Sequence, residues 1–538
     1  MSKKHKSVPN SIDYKAVPST AAKNGHCTNK ELVVRNGKAL RDNSDTNSNE
    51  LEGDRGTFRR EMGLFSVISY LIGGIIGTGI FISPSGVLEH SGSPGMALIV
   101  WVSCGFVALL TALCYAELGT SYPHSGSSYY YVKIAFGDFA AFVFEWVDII
   151  LRKSTTGCVR YMTFSIYFLQ PFFGSSCSPT SEATKIVAAV AIVCLAYINC
   201  QEVRLRAGFQ AVTSCAKLLA MALIFALGLY YLYRGGNNHL HNAFYGSKFS
   251  PGSLATAFSY GLYAYSGWDV MNNAVEEIKN PNVSLPLGLL ISIVLATTAY
   301  AGVNLAYFFV LDRSEVLDSP AVATVFAAHF TTVSAWLVSM LVSVSAIGAC
   351  NALVFQSSRY LHAAAREDQL PKFVAGLSPR NNVPQPAIVV QTVLTLLCLF
   401  AKDINQLMVY YGILKWSMVA LPISAQIYLR CKYPHIKRPL KFSILLPILT
   451  LIIMLGLLIL PIYQNLFNSM VAIGLCSVCV PVYLFFFSWK SKPEWLKNWL
   501  VNIDHCTAEF FQKLMLVVIS TQENLNDKEK TKLLGENL

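Results

Sequence analysis

Charge is what this chain has least of. Only 14% of its 538 residues are Asp, Glu, Lys or Arg, while 53% are hydrophobic; a soluble domain carries roughly 25% charged residues. That shortfall excludes an ordinary soluble enzyme and puts most of the chain in lipid. The fourteen cysteines include no pair of CxxC motifs of the kind a zinc site needs, so no metal is expected. Most of them, such as Cys104, Cys114, Cys194, Cys350 and Cys476, fall in apolar runs where a thiol acts as a small apolar group. No nucleophile–base constellation is apparent, and the chain is not expected to be an enzyme. Residues 1–57, rich in Lys, Asn and Ser, have no apolar core of a signal peptide, and Ser2 follows Met1, so no myristoylation signal is expected. This tail is expected to be disordered and cytosolic.

What the chain has in abundance is spanning segments. Twelve apolar stretches long enough for a bilayer run at about 62–88, 95–118, 138–170, 183–200, 207–233, 252–276, 285–311, 332–361, 385–401, 404–429, 440–462 and 466–489; they are numbered span one to span twelve below. The fold class is therefore an all-α polytopic membrane protein, with a transmembrane domain over 58–490. A cytosolic tail over 491–538 holds an amphipathic segment from Trp495 to Ile503, with apolar positions at helical spacing suited to the inner leaflet.

Orientation follows from the loops. Seventeen Lys and Arg residues, among them Arg59, Arg204, Lys279, Arg430 and Arg438, fall on the side of the N-terminus, against five (Lys185, Arg234, Lys248, Arg313, Lys402) on the other. The positive-inside rule places both termini in the cytosol of a multi-pass plasma-membrane protein. The net charge of +11 is mostly this asymmetry and needs no nucleic-acid partner. With that topology, Cys177 is the cysteine clearly in an outside loop, and it is either an intermolecular disulfide or an unpaired thiol. The single glycosylation sequon, Asn282-Val-Ser284, falls on the cytosolic side.

Two segments carry the chemistry. Span one contains Gly73-Gly74-Ile75-Ile76-Gly77-Thr78-Gly79-Ile80-Phe81, four glycines in seven residues. Each glycine costs a helix interior about 1 kcal/mol relative to alanine. A broken backbone at membrane depth is tolerated where it is shielded or lines a cavity. Span six contains Tyr263-Ala-Tyr-Ser266-Gly267-Trp268-Asp269, a second glycine-containing interruption beside a carboxylate. Paired interruptions in corresponding helices of two halves mark a substrate site in secondary transporters; a pair of small-residue packing faces is the alternative.

These segments belong to a longer run of blocks: Gly77-Thr-Gly-Ile-Phe81, Ala112-Leu-Cys-Tyr-Ala-Glu117-Leu-Gly119, Ser125-Gly-Ser-Ser-Tyr129, Ala216-Lys217, Gly267-Trp268, Ala365-Arg366-Glu367 and Arg438-Pro-Leu-Lys441. Over residues 60–490 the chain resembles the light subunits of the heterodimeric amino-acid transporters, in the amino acid–polyamine–organocation superfamily. Tyr265-Ser-Gly-Trp-Asp269 and Glu277-Ile-Lys-Asn-Pro281 look most like its y+L branch. The resemblance implies a five-plus-five inverted repeat with spans one and six broken, plus two peripheral helices. It implies an antiporter of large neutral and cationic amino acids at the plasma membrane, disulfide-linked through Cys177 to a single-span type II glycoprotein heavy chain, with no cofactor but with sodium as co-substrate of the neutral amino acids. A sodium-independent transporter working without a heavy subunit is the alternative.

The family likeness also implies a site. The substrate carboxylate is expected at the amides of Thr78, Gly79 and Ile80, where the second half of span one begins, with Gly77 and Gly79 allowing close approach. The α-ammonium is expected at the carbonyls of Ile72, Gly73, Ile75 and Tyr263. Tyr263 is expected as an outer gate, Ser266 and Gly267 as lining, and Asp269 as an attraction for cationic side chains or as a helix cap. Lys217 is expected to stand where sodium sits in sodium-driven relatives, and Glu117 to meet Arg366 and Glu367 at an inner gate. Lys153, where relatives have proline, and Arg160 depart from the pattern without an assigned role; contact with membrane lipid, a counter-charge and a pocket-lining role are the options for them.

Overall fold

A computed structural model of the chain describes residues 62–519, apart from 123–126, 174–178, 201–202, 236–239, 241, 367–368, 379–382, 401–403, 437, 465, 490–492 and 516–517. Cys177, Glu367 and the N-terminal tail lie outside the described residues. The rest is helical, beyond an isolated bridge from Met62 to Ile278 and one antiparallel pair of two-residue strands, Gly376–Leu377 and Val518–Ile519. Every one of the twelve apolar segments coincides with a helix or a group of helices. Seven helices are long and apolar enough to cross a membrane alone, and the bent pair Leu64–Ile75 and Gly79–Ser91 forms an eighth span. The remaining four depart from that pattern for visible reasons. Spans three and ten bear Arg152, Lys153 and Lys415, while span six is interrupted and span nine is a helix of 14 residues. The protein is a multi-pass membrane protein.

The inverted repeat is visible in the packing. Spans one, two, three and four lie against spans six, seven, eight and nine respectively, so each partner is five spans further along the chain. Close approach makes this pairing possible. A side chain at Gly105 of span two would overlap Thr297 of span seven, and one at Gly79 of span one would overlap Ala264 of span six. Spans eleven and twelve follow the repeat, and the apolar window of span twelve is the least buried of the seven, 17% against 56% for span two. They present residues such as Ile452 and Phe467 outward, which suits lipid. Polar side chains inside the bundle bond back to their own helices, as Thr111 does to the Val107 carbonyl at 2.7 Å and Thr163 to that of Val159 at 2.8 Å. Without such partners each would cost several kcal/mol in hydrocarbon.

Among the described residues three α-helical pieces between spans are additions to the sequence reading: Ser127–Phe136 after span two, and Arg313–Asp318 and Val322–Ala328 after span seven. The second had a readable signal, because Asp312 and Glu315 form a capping box. The expected amphipathic segment is longer than Trp495–Ile503 and runs over Glu494–Met515. One face docks on the segment after span eight, where Phe373 and Phe511 stack at 4.5 Å and the Lys372 amide donates to the Asp504 carboxylate at 3.0 Å. Trp495, Trp499 and Val501 remain exposed, as a helix at a membrane surface requires.

Candidate substrate site at two broken helices

Span one stops at Ile75 and resumes at Gly79 with a bend of 53°. Its first half ends with the Ile76 amide donating to the Ile72 carbonyl at 2.9 Å. The second half starts with its own amides unpaired by geometry, since the first turn of any helix has no preceding carbonyl to meet. Among the described residues the amides of Thr78, Gly79 and Ile80 donate to no protein acceptor. They form the positive pole expected there, and a carboxylate suits it.

Span six stops at Ala264 and continues from Trp268 to Glu277 as a tighter 3-10 helix. Gly267 makes the joint, with φ of +110°, a backbone region that other residues reach only with strain. It also touches span one, for a Cβ there would overlap the Gly74 carbonyl. Tyr300 of span seven ties the two breaks together: its hydroxyl lies 2.9 Å from the Ile75 carbonyl and 3.0 Å from that of Ala264. Tyr300 does not figure in the sequence reading. A tyrosine in an apolar span gives no signal until its hydroxyl is seen between two freed carbonyls.

The carbonyls expected to receive an α-ammonium already have partners. Ile72 is bonded by Ile76, and Ile75 by Tyr300. Gly73 receives the Lys217 ammonium at 2.8 Å, while Tyr263 receives the Ser266 amide at 3.2 Å. Each carbonyl oxygen has a second lone pair, so an ammonium there shares rather than fills an empty acceptor. Lys217 also donates to Ile76 at 2.9 Å. It spans from helix five to the break as expected, and it neutralises the negative end of the first half-helix with a fixed cation.

The residue expected at the gate has partners on both breaks and on span ten. The Tyr263 hydroxyl lies 3.5 Å from the Thr78 hydroxyl, and its ring packs edge-on against Tyr411 of span ten at 4.9 Å between centroids. Tyr411 in turn reaches the Ser266 hydroxyl at 2.5 Å. Tyr263 is 4% exposed, so the ring covers the break rather than standing at a membrane interface. Gly77 and Gly79 differ. Gly79 faces Ala264, whereas a side chain at Gly77 would meet nothing closer than the Ile75 carbonyl at 3.9 Å. Gly77 is therefore the glycine beside open space, and Gly79 is a packing contact between the two broken helices.

Near Tyr411 lies a group of buried and half-buried charges. Span three makes one wide turn of π-helix over Val147–Arg152, which carries Asp148 and Arg152 on one face as an ion pair. Lys153 follows, 4% exposed, with its ammonium 4.3 Å from the Tyr360 ring centroid. Arg160 donates to the Ala349 carbonyl at 2.8 Å. Both cations thus have aromatic or carbonyl partners inside the protein instead of lipid. Asp269 interacts with Lys415, Arg152 and Asp148, so its surroundings are more cationic than its place in the sequence implied.

At the end of the bundle where loop charge is densest, Glu117 meets Arg430, not Arg366. The Arg430 Nε reaches one carboxylate oxygen at 2.8 Å and its Nη2 the other, while the Phe442 amide adds a bond of 3.2 Å. Arg366 is exposed at the end of its helix. The expectation failed because loop arginines are interchangeable in a sequence, whereas burial requires a bidentate partner fixed on a neighbouring span.

Residues 62–476 match the family model described as amino acid permease. The chain belongs to the amino acid permease family. It is 36% identical over 500 residues to the large neutral amino acids transporter small subunit 2 of Mus musculus, covering 92% of this chain and 93% of that protein. It is 35% identical over 439 residues to the cystine/glutamate transporter of Homo sapiens, covering 82% and 87%. It is 36% identical over 409 residues to the human b(0,+)-type amino acid transporter 1, covering 76% and 84%. As a permease the chain is an amino-acid transporter, and the two facing breaks have a function to serve. Backbone amides and carbonyls of opposite polarity suit the part common to all amino acids.

Proposed function

We propose that this permease exchanges large neutral amino acids and, against Asp269, cationic ones across the plasma membrane. It does so as a light subunit disulfide-linked through Cys177 to a single-span glycoprotein, with both termini cytosolic. The observation that carries the reading is the free amide turn at Thr78–Ile80 facing the gate pair Tyr263 and Tyr411. A zwitterion needs an anion pole and a covered, partly apolar pocket side by side, and this is where the fold supplies them. The relatives support a partnered assembly over a transporter working alone, since one of them is named a small subunit.

Uptake of radiolabelled leucine and arginine into oocytes, with and without a heavy subunit, tests the reading. Preloading with unlabelled leucine should stimulate entry of label severalfold, as exchange demands. Uptake that does not respond to preloading would make it a uniporter. For the assembly, Cys177→Ser should remove the high-mass band on non-reducing gels, and persistence of that band would place the disulfide elsewhere. Surface delivery can survive the substitution where the rest of the interface is large.

A further inference from the structure

Lys415, in the middle of span ten, is 5% exposed and has no part in the scheme above. It follows Tyr411 by one helical turn, and Tyr411 is held to Ser266 of span six. The same face of span ten therefore continues along the break of span six. There the Lys415 ammonium stands 5.5 Å from the centroid of the Trp268 ring, and Trp268 immediately precedes Asp269.

The neighbouring charges can be assigned one by one. Asp148 is joined to Arg152 on the wide turn of span three. Lys153 lies over Tyr360, and Arg160 is bonded to Ala349. Lys217 is bound to Gly73 and Ile76. Lys415 and Arg152 are the cations whose charges favour the Asp269 carboxylate, with Asp148 opposing; Arg152 is already joined to Asp148, so the charge of Lys415 is the one that balances Asp269. Among the described residues no hydrogen bond or ion pair within 4.0 Å joins the two. A carboxylate at the break of span six is thus balanced by a cation carried by the protein on span ten.

We propose that Lys415 is a tethered counter-cation for Asp269. It brings from span ten the positive charge that the side chain of a cationic substrate, or a sodium ion accompanying a neutral one, would otherwise bring. The consequence rests on the reading of this break as the amino-acid site. Neutral side chains are accepted without sodium. Cationic side chains meet an ammonium already in place and are still carried, but less well than neutral ones. Removing that ammonium should open Asp269 to arginine, and should make the neutral substrate depend on a small cation from solution.

The test measures leucine and arginine uptake, in sodium and in choline, by the full chain co-expressed with a heavy subunit, with surface density measured by biotinylation. The wild type should carry leucine equally in both salts and arginine less well than leucine. Lys415→Gln should raise the arginine-to-leucine ratio by about tenfold or more, the effect of one unit charge in a partly desolvated site, and should make leucine uptake rise with sodium. Lys415→Arg should keep the wild-type pattern. An unchanged ratio and an unchanged sodium response in surface-expressed Lys415→Gln would overturn the proposal. If that variant fails to reach the surface, the wild type decides alone, since leucine uptake that needs sodium, or arginine carried as well as leucine, overturns it. A wild type at the surface that carries neither amino acid would instead sink the exchanger reading and this inference with it.

Discussion

The two breaks meet at one place, yet they are built differently. Span one is interrupted by a cluster of glycines and resumes at once as α-helix, so its break ends in a turn of free amides. Span six is interrupted by one left-handed glycine and resumes as a tighter helix bearing Asp269, so its break ends in a carboxylate among cations. The first suits the part that all amino acids share. The second faces what distinguishes them. A glycine count alone does not separate these roles, because Gly77, Gly79 and Gly267 serve open space, close packing and an unusual backbone conformation respectively.

Substitutions at these glycines should separate the breaks, starting with the largest effect. Gly79→Val puts a branched side chain into the backbone of Ala264. The packing of span one on span six cannot absorb it, so we expect loss of surface protein, not merely of uptake. Surface biotinylation checks this; a protein that is present but inactive would mean that Gly79 faces the substrate instead. Gly267→Ala should come next. Strain at a positive φ costs roughly 1–3 kcal/mol, and the overlap with Gly74 adds to it. Reduced thermal stability of the detergent-solubilised protein, with uptake close to background, is the expected result.

Lys217→Met should have a smaller effect on stability and a large one on transport. It strips the ammonium from Gly73 and Ile76, and an unpaired buried carbonyl costs about 1–3 kcal/mol. Uptake should fall by an order of magnitude or more at equal surface density. Tyr300→Phe should be milder still, since it removes one hydroxyl shared between Ile75 and Ala264 while keeping the ring among Trp101 and Tyr265. A several-fold loss of leucine uptake is expected there. If Tyr300→Phe proved as damaging as Lys217→Met, the link between the breaks would matter more than the fixed cation.

Much of this was legible in the sequence because the bilayer restricts what a backbone can do. Apolar length located helices at all twelve stretches, and glycines in two of them located both breaks. Lys217 was legible because a mid-span ammonium must find acceptors, and the freed carbonyls of span one are the nearest such group. What escaped was pairing among residues of one kind. Arg430 and Arg366 look alike in a chain, and only the packing of span ten on span two picks the first for Glu117. Tyr300 escaped because nothing in an apolar span marks which tyrosine will stand between two carbonyls. Asp269 was read from its own break, whereas its neighbours Arg152 and Lys415 come from spans three and ten.

The central claim is that an amino acid is held where the break of span one opens beside Gly77. Gly77→Val tests it most directly, because a side chain there has no protein atom nearer than the Ile75 carbonyl at 3.9 Å and should not disturb folding. Exchange of labelled leucine, measured at matched surface density, should fall to background while surface level and thermal stability stay at the wild-type value. Wild-type exchange by a surface-expressed Gly77→Val protein would contradict the account and move the site away from this break.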